Sequence, residues 1–159
     1  MLDALKVLVI YDSKGGNTGK IAQAIAEGAA SVEGVEAEVK KIGEPFPLTD
    51  LAEADLVALG SPVIYADVTD EMRSFLEHVK GYIDAGRMNM EGRRAAVFGS
   101  YGYDGAWIME ERFKAMVDAL GYSVEDKVCV QVDTDLKYHP SSALNACRNY
   151  GKRLAQSLK

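Results

Sequence analysis

Ser13, Gly15, Gly16, Asn17 and Thr18, with Lys14 among them, follow an apolar run near the start of the chain, with Asp12 between. Ser13, Asn17 and Thr18 carry short hydrogen-bonding groups. Gly15 and Gly16 let the backbone approach a ligand with no side chain in the way. Upstream, Leu5-Lys6-Val7-Leu8-Val9-Ile10-Tyr11 reads as a strand. Downstream, Ile21, Ala24, Ile25, Gly28 and Val32 recur at helical spacing. A helix that begins at this loop aims its first amides into it. Those amides have no intrahelical acceptor, and the helix dipole favours negative charge there. The chemistry implied is the binding of a phosphate group. The alternative is a glycine-rich turn that only joins strand to helix. The loop is not a nucleoside-triphosphate loop, because Gly16-Asn17-Thr18 stands where Gly-Lys-Ser or Gly-Lys-Thr is needed. Nor does it contain Gly-x-Gly-x-x-Gly.

Two further segments combine rings with turn-forming residues. They are Gly60-Ser61-Pro62-Val63-Ile64-Tyr65-Ala66-Asp67 and Gly99-Ser100-Tyr101-Gly102-Tyr103-Asp104-Gly105-Ala106-Trp107. Tyr65, Tyr101, Tyr103 and Trp107 fall at loop tips, where exposing a ring is costly. Such rings either line a flat aromatic guest or cover helix ends as ordinary core. Stacking on a guest contributes about 0.5–1.5 kcal/mol per ring pair beyond area burial.

The elements that position these loops follow from periodicity. Strands are predicted over 5–11, 35–40, 55–60, 94–99 and 127–132, and helices over 17–31, 68–79, 106–120 and 142–157. Apolar stripes run along the later helices, as Met72, Phe75, Leu76 and Val79, then Met109, Phe113, Met116, Val117 and Leu120. The last stripe is Leu144, Cys147, Gly151, Leu154 and Leu158. Asp67 and Ser141 are candidate N-caps and Gly121 a candidate helix stop. Regular β-α alternation predicts an α/β three-layer sandwich, with helices on both faces of a five-stranded parallel sheet. The first, third and fourth runs are almost continuously apolar, as central strands are. The second and fifth alternate, as edges do. The order predicted is 2-1-3-4-5, which puts the loops after strands 1, 3 and 4 at one end of the sheet.

A chain of 159 residues is expected to form a single domain over 1–159. Twenty-four acidic residues against 18 basic ones argue against nucleic acid and suit an acidic surface meeting a basic partner. No apolar run approaches the roughly 18–20 residues of a membrane span. No secretory signal pattern opens the sequence, so a cytoplasmic location is expected. Cys129 and Cys147 suggest neither a zinc site nor a disulfide framework, and both read as small buried residues.

The loop Ser13-Lys14-Gly15-Gly16-Asn17-Thr18 resembles the phosphate loop of flavodoxins, which runs Thr/Ser-x-Thr/Ser-Gly-Asn-Thr. Gly15 departs from it by lacking a hydroxyl. Phe98-Gly99-Ser100-Tyr101-Gly102-Tyr103 is similar to the Gly-Ser-Tyr-Gly-Trp stretch of short-chain flavodoxins and of flavodiiron-protein flavodoxin domains. Gly60-Ser61-Pro62 with Ile64 and Asp67, and Tyr138-His139-Pro140 before the last helix, look like the flavodiiron type. An uninterrupted fifth strand suits the short-chain type. The predicted order is that of flavodoxin-like folds, which carry flavin mononucleotide (FMN) at the switch between strands 1 and 3.

The resemblance implies FMN as cofactor and an electron carrier as function, with redox proteins as partners and a monomer or weak dimer as the assembly. Carried over by position, the cofactor residues are Ser13, Lys14, Gly15, Gly16, Asn17, Thr18, Ser61, Pro62, Val63, Ile64, Tyr65, Ser100, Tyr101, Gly102, Tyr103, Asp104 and Gly105. Tyr103 takes the flavin-stacking position. His78 and His139 cannot rebuild a flavodiiron metal site. Many flavodoxins stabilise the one-electron reduced flavin by flipping a peptide at a glycine, where this chain has Tyr65. A tyrosine is expected to resist the positive φ, and Asp67 and Asp104 to disfavour an anionic reduced flavin. A low potential for the fully reduced form is therefore expected. The other functions weighed are a nicotinamide-dependent quinone or flavin reductase and a flavin-free signalling module. The latter needs acids that Gly60-Ser61 does not supply.

Overall fold

The computed structural model describes residues 3–159. β1 (Leu5–Tyr11) lies between β2 (Val35–Lys41) and β3 (Leu56–Pro62), and β3 pairs in turn with β4 (Arg94–Tyr101). The fifth position is shared by β5 (Ser123–Val124) and β6 (Cys129–Val132), both parallel to β4. The strand order is thus 2-1-3-4-5, as the edge and centre patterns predict. The fifth strand differs from expectation, since it is not uninterrupted. Glu125 pairs with Arg94, and the Lys127 carbonyl accepts the Tyr150 hydroxyl at 2.6 Å. The Glu125 amide still donates to the Ala95 carbonyl at 2.8 Å, and residues 126–128 run off the ladder between its two halves.

Period-2 alternation splits each central strand between two apolar layers. Val7 and Val9 face one layer with α1 (Asn17–Ala30) and α6 (Pro140–Gln156). Leu8 and Ile10 face the other, with α3 (Asp70–Asp84) and α4 (Ala106–Asp118). Two short helices escape sequence prediction, α2 (Thr49–Glu53) and α5 (Asp133–Tyr138). Neither is long enough to show a stripe, and each buries one leucine, Leu51 and Leu136. The predicted caps shift as well. Thr69, not Asp67, caps α3, its hydroxyl accepting the Met72 amide at 3.2 Å. Pro140 opens α6 ahead of Ser141.

α1 and α6 meet backbone to backbone. A Cβ on Gly28 would overlap the Arg148 carbonyl oxygen, and one on Gly151 would overlap that of Ile25. Both glycines belong to the predicted stripes, and their missing side chains set how closely α1 sits against α6. Gly81 in α3 is the contrast, because a Cβ there would meet nothing within 4 Å. Gly28→Ala should therefore lower stability by about 2–3 kcal/mol through overpacking. Gly81→Ala should raise it by about 0.5–1 kcal/mol through helix propensity. Urea midpoints of the two variants, measured beside the parent, check the opposite signs.

Candidate functional site

Adjacency of β1, β3 and β4 gathers the loops that follow them at one end of the sheet. The Asp12 amide donates to the Gly60 carbonyl at 3.0 Å, and the Val63 amide to that of Ser100 at 2.8 Å. Thr18 Oγ1 and Ser100 Oγ lie 2.8 Å apart, a buried hydroxyl pair joining α1 to β4.

In the first loop Ser13 Oγ accepts the Gly16 amide at 3.0 Å. Gly16 adopts φ +92° at the N-cap of α1, and no side chain caps the helix. The amides of Asn17, Thr18 and Gly19 therefore have neither an intrahelical nor a side-chain acceptor. Lys14 Nζ lies 2.7 Å from Glu71 and 3.7 Å from the buried Asp12 carboxylate. The hydrogen bond between Lys14 and Glu71 raises the lysine pKa and lowers that of the glutamate. Asp12 Oδ2 has no hydrogen-bond partner, and the Lys14 ammonium is the cation that faces it. The groove beside the loop is lined in part by Tyr11, Ser13, Lys14, Lys20 and Lys41. On a chain of net charge −6, this neighbourhood is locally basic and fits an anion.

Three of the candidate hydroxyls are internal. Thr18, Ser61 and Ser100 are buried. Ser61 Oγ donates to the Pro62 carbonyl at 2.9 Å and accepts the Thr69 amide at 3.0 Å, which fixes the start of α3 against the end of β3. Thr18 spends its hydroxyl on Ser100, so what it can offer a ligand is its amide.

The β3–α3 connection, residues 63–69, is built around a two-residue turn. Ile64 and Asp67 exchange both backbone hydrogen bonds, at 2.9 and 3.0 Å. Tyr65 and Ala66 between them adopt φ +49° and +60°. Two positive φ values are the type I′ combination, ordinarily Asn-Gly. The expectation that Tyr65 avoids positive φ is thus overturned, for it already occupies the left-handed region. Several contacts hold it there. Asp67 Oδ1 accepts the Val68 amide at 2.8 Å, and its Oδ2 meets Arg73 at 2.7 Å and Arg112 at 3.5 Å. Arg112 also donates to the Ala66 carbonyl at 3.4 Å. A Cβ on Gly105 would sit 3.0 Å from Ala66, so the turn packs directly on the N-cap of α4. Asp67 is also not the free negative charge expected from sequence, since two guanidinium groups face it.

The β3–α3 turn, the loop after β4 and the start of α4 expose their rings. Tyr65 and Tyr103 are each 97% exposed and Trp107 71%, so none of the three is core. Tyr101 is half-buried, and Gly102 and Asp104 are exposed. Pro62 and Val63 are half-buried and Ile64 is exposed at the same sheet end. Glu71, Arg73 and Arg112 are structural partners that sequence reasoning missed. Single charges on helix faces carry no mark that separates a partner from a solvated residue.

Each non-glycine residue in the left-handed region costs about 1–2 kcal/mol, whereas glycine adds about 0.5–1 kcal/mol of chain entropy. Ala66→Gly should therefore raise stability by about 0.5 kcal/mol, read from the urea midpoint, if the turn is strained as described. A lower midpoint would contradict that.

The Flavodoxin family model matches residues 9–146. A flavodoxin of Aquifex aeolicus is 33% identical over 95% of this chain and 85% of its own length. The type A flavoprotein fprA of Rhodobacter capsulatus is 34% identical over 96% of this chain, which spans only 33% of that protein. Among solved structures, a flavodoxin from the domain Archaea superposes with a TM-score of 0.78 at 27% identity, covering 97% of this chain and 99% of its own. With its sheet order, its loops and these likenesses together, the chain belongs to the flavodoxin family.

Proposed function

We propose that this chain is an electron carrier that holds FMN non-covalently on the loops after β1, β3 and β4 and passes electrons between redox proteins. It belongs to a family whose members bind FMN and transfer electrons to redox partners. One observation carries the reading. The uncapped start of α1 shares a sheet end with Tyr65, Tyr103 and Trp107, all largely exposed. An anion cradle beside exposed rings suits a flat ligand that bears a phosphate.

When bound, FMN supplies one- and two-electron chemistry, tuned by burial, hydrogen bonds and charge. Ser13, Lys14, Gly15, Gly16, Asn17 and Thr18 would hold the phosphate, chiefly through free amides and the Lys14 ammonium. Tyr65 and Tyr103 would cover the ring system and exclude water. Pro62, Val63 and Ile64 would meet it from the loop after β3, and Tyr101, Gly102, Asp104 and Gly105 from the loop after β4. Ser61 and Ser100 act from beneath, by fixing the loops. Arg73 and Arg112 place net positive charge beside the Asp67 turn, which opposes the low potential expected from sequence.

Two measurements test this reading. The FMN-loaded chain, reduced chemically, should reduce a one-electron acceptor protein such as cytochrome c. It should show no sustained turnover with NADPH and a quinone, and such turnover would instead make the chain a reductase. The second measurement concerns Gly15, where a side chain would meet nothing within 4 Å and φ is not left-handed. Gly15→Ser restores the hydroxyl that the loop lacks, and one hydrogen bond adds about 0.5–1.5 kcal/mol. FMN should bind about 2- to 10-fold more tightly, with riboflavin affinity unchanged.

A further inference from the structure

Cys129 in β6 and Cys147 in α6 are 18 positions apart in the chain, and the fold brings their sulfurs to 3.3 Å. Both are free thiols buried between sheet and helix, with Cys147 fully covered. The flavin chemistry proposed above uses neither of them. They are not alike. The Cys129 thiol donates to Cys147, and this, with the nearby Arg148 charge, lowers the Cys147 pKa although burial opposes it. The same hydrogen bond and burial raise that of Cys129. The Gln131 side chain lies beside both sulfurs. Gln131 also lines a surface hollow with Asp135, His139, Ser142, Ala143 and Ala146; neither sulfur lines it, so a peroxide reaches the pair only when β6 and α6 part slightly at Gln131. β6 pairs only with β4, at the sheet edge, where small shifts are least opposed.

We propose that Cys129 and Cys147 form a peroxide-reactive dithiol that closes into an intramolecular disulfide. Cys147 is the attacking thiolate, since the thiolate is the nucleophile and its neighbours favour that form. Its sulfur bonds one peroxide oxygen as the O–O bond breaks, and the released hydroxide takes up a proton to leave as water. The Cys129 sulfur then attacks the oxidised Cys147 sulfur. The S–S bond forms, the S–O bond breaks, and the hydroxyl leaves as a second water with the Cys129 proton. Two electrons pass from the thiols to hydrogen peroxide. A disulfide needs the sulfurs about 2.05 Å apart, so they close by about 1.3 Å, within reach of side-chain rotation and a small movement of the edge strand. The bridge ties β6 to α6, the helix that lies against α1 at Gly28 and Gly151.

The full chain, reduced and freed of reductant, is exposed to hydrogen peroxide and quenched in acid, with and without FMN. Thiols are then counted after unfolding and the intact mass is taken. Both thiols should disappear together in the monomer, the mass should fall by about 2 Da, and dithiothreitol should restore both thiols. The urea midpoint of the oxidised form should rise and fall back on reduction. Persistence of both thiols would overturn the proposal, as would loss of one alone or a gain of about 16 Da per oxygen without loss of the pair. In Cys129→Ser, oxidation should stop at a Cys147 sulfenic acid trapped by dimedone. If that variant fails to fold, the thiol count and mass of the parent chain still decide. The outcome should be the same with and without FMN, so it stands or falls separately from the flavin reading.

Discussion

The first turn of α1 presents amides that the chain leaves without an acceptor, and the rest of the site is arranged around that lack. Gly16 in a left-handed conformation starts the helix without a capping side chain, and Ser13 turns inward to the Gly16 amide. The amides that follow have no acceptor in the chain, and Lys14, Lys20 and Lys41 line the groove beside the loop. A helix start of this kind is unfavourable unless water or an anion completes it. The α1–α6 contact at Gly28 and Gly151 anchors the helix from behind, and the Thr18–Ser100 pair ties its first turn to β4.

Strain lies on the other side of the site. Tyr65 and Ala66 are the only non-glycine residues at positive φ among those described. The turn they form is over-determined by a backbone hydrogen-bond pair, by Asp67 held between Arg73 and Arg112, and by Gly105 beneath Ala66. Residues kept in sparsely populated regions persist when their surroundings fix them, and they gather at functional sites. Here the restraint comes from α3 and α4, so both helices bear on the shape of the loop that carries Tyr65.

Much of this was legible in the sequence. The sheet order could be read because central strands are apolar throughout while β2 and the fifth position alternate. The anion loop could be read because glycines and small polar residues sit between a strand and a helical stripe. Other features leave no periodic trace. Tyr65-Ala66 contains no glycine or asparagine to signal a type I′ turn. At the break between β5 and β6 Tyr150 reaches the Lys127 carbonyl from α6, and the proximity of Cys129 to Cys147 depends on how α6 lies on the sheet. Thr18 and Ser61 were recognisable as important hydroxyls, but only packing decides that they face inward.

The central claim is that the unpaired amides of α1 recognise a phosphate, and comparing FMN with riboflavin tests it most directly, because the two differ only in that group. Titration of the flavin-free chain, followed by quenching of flavin fluorescence, should give at least about 100-fold tighter binding for FMN, since charge-assisted hydrogen bonds contribute about 1.5–3 kcal/mol each. Equal affinities for the two flavins would mean that the start of α1 does not hold the phosphate, and would contradict the account.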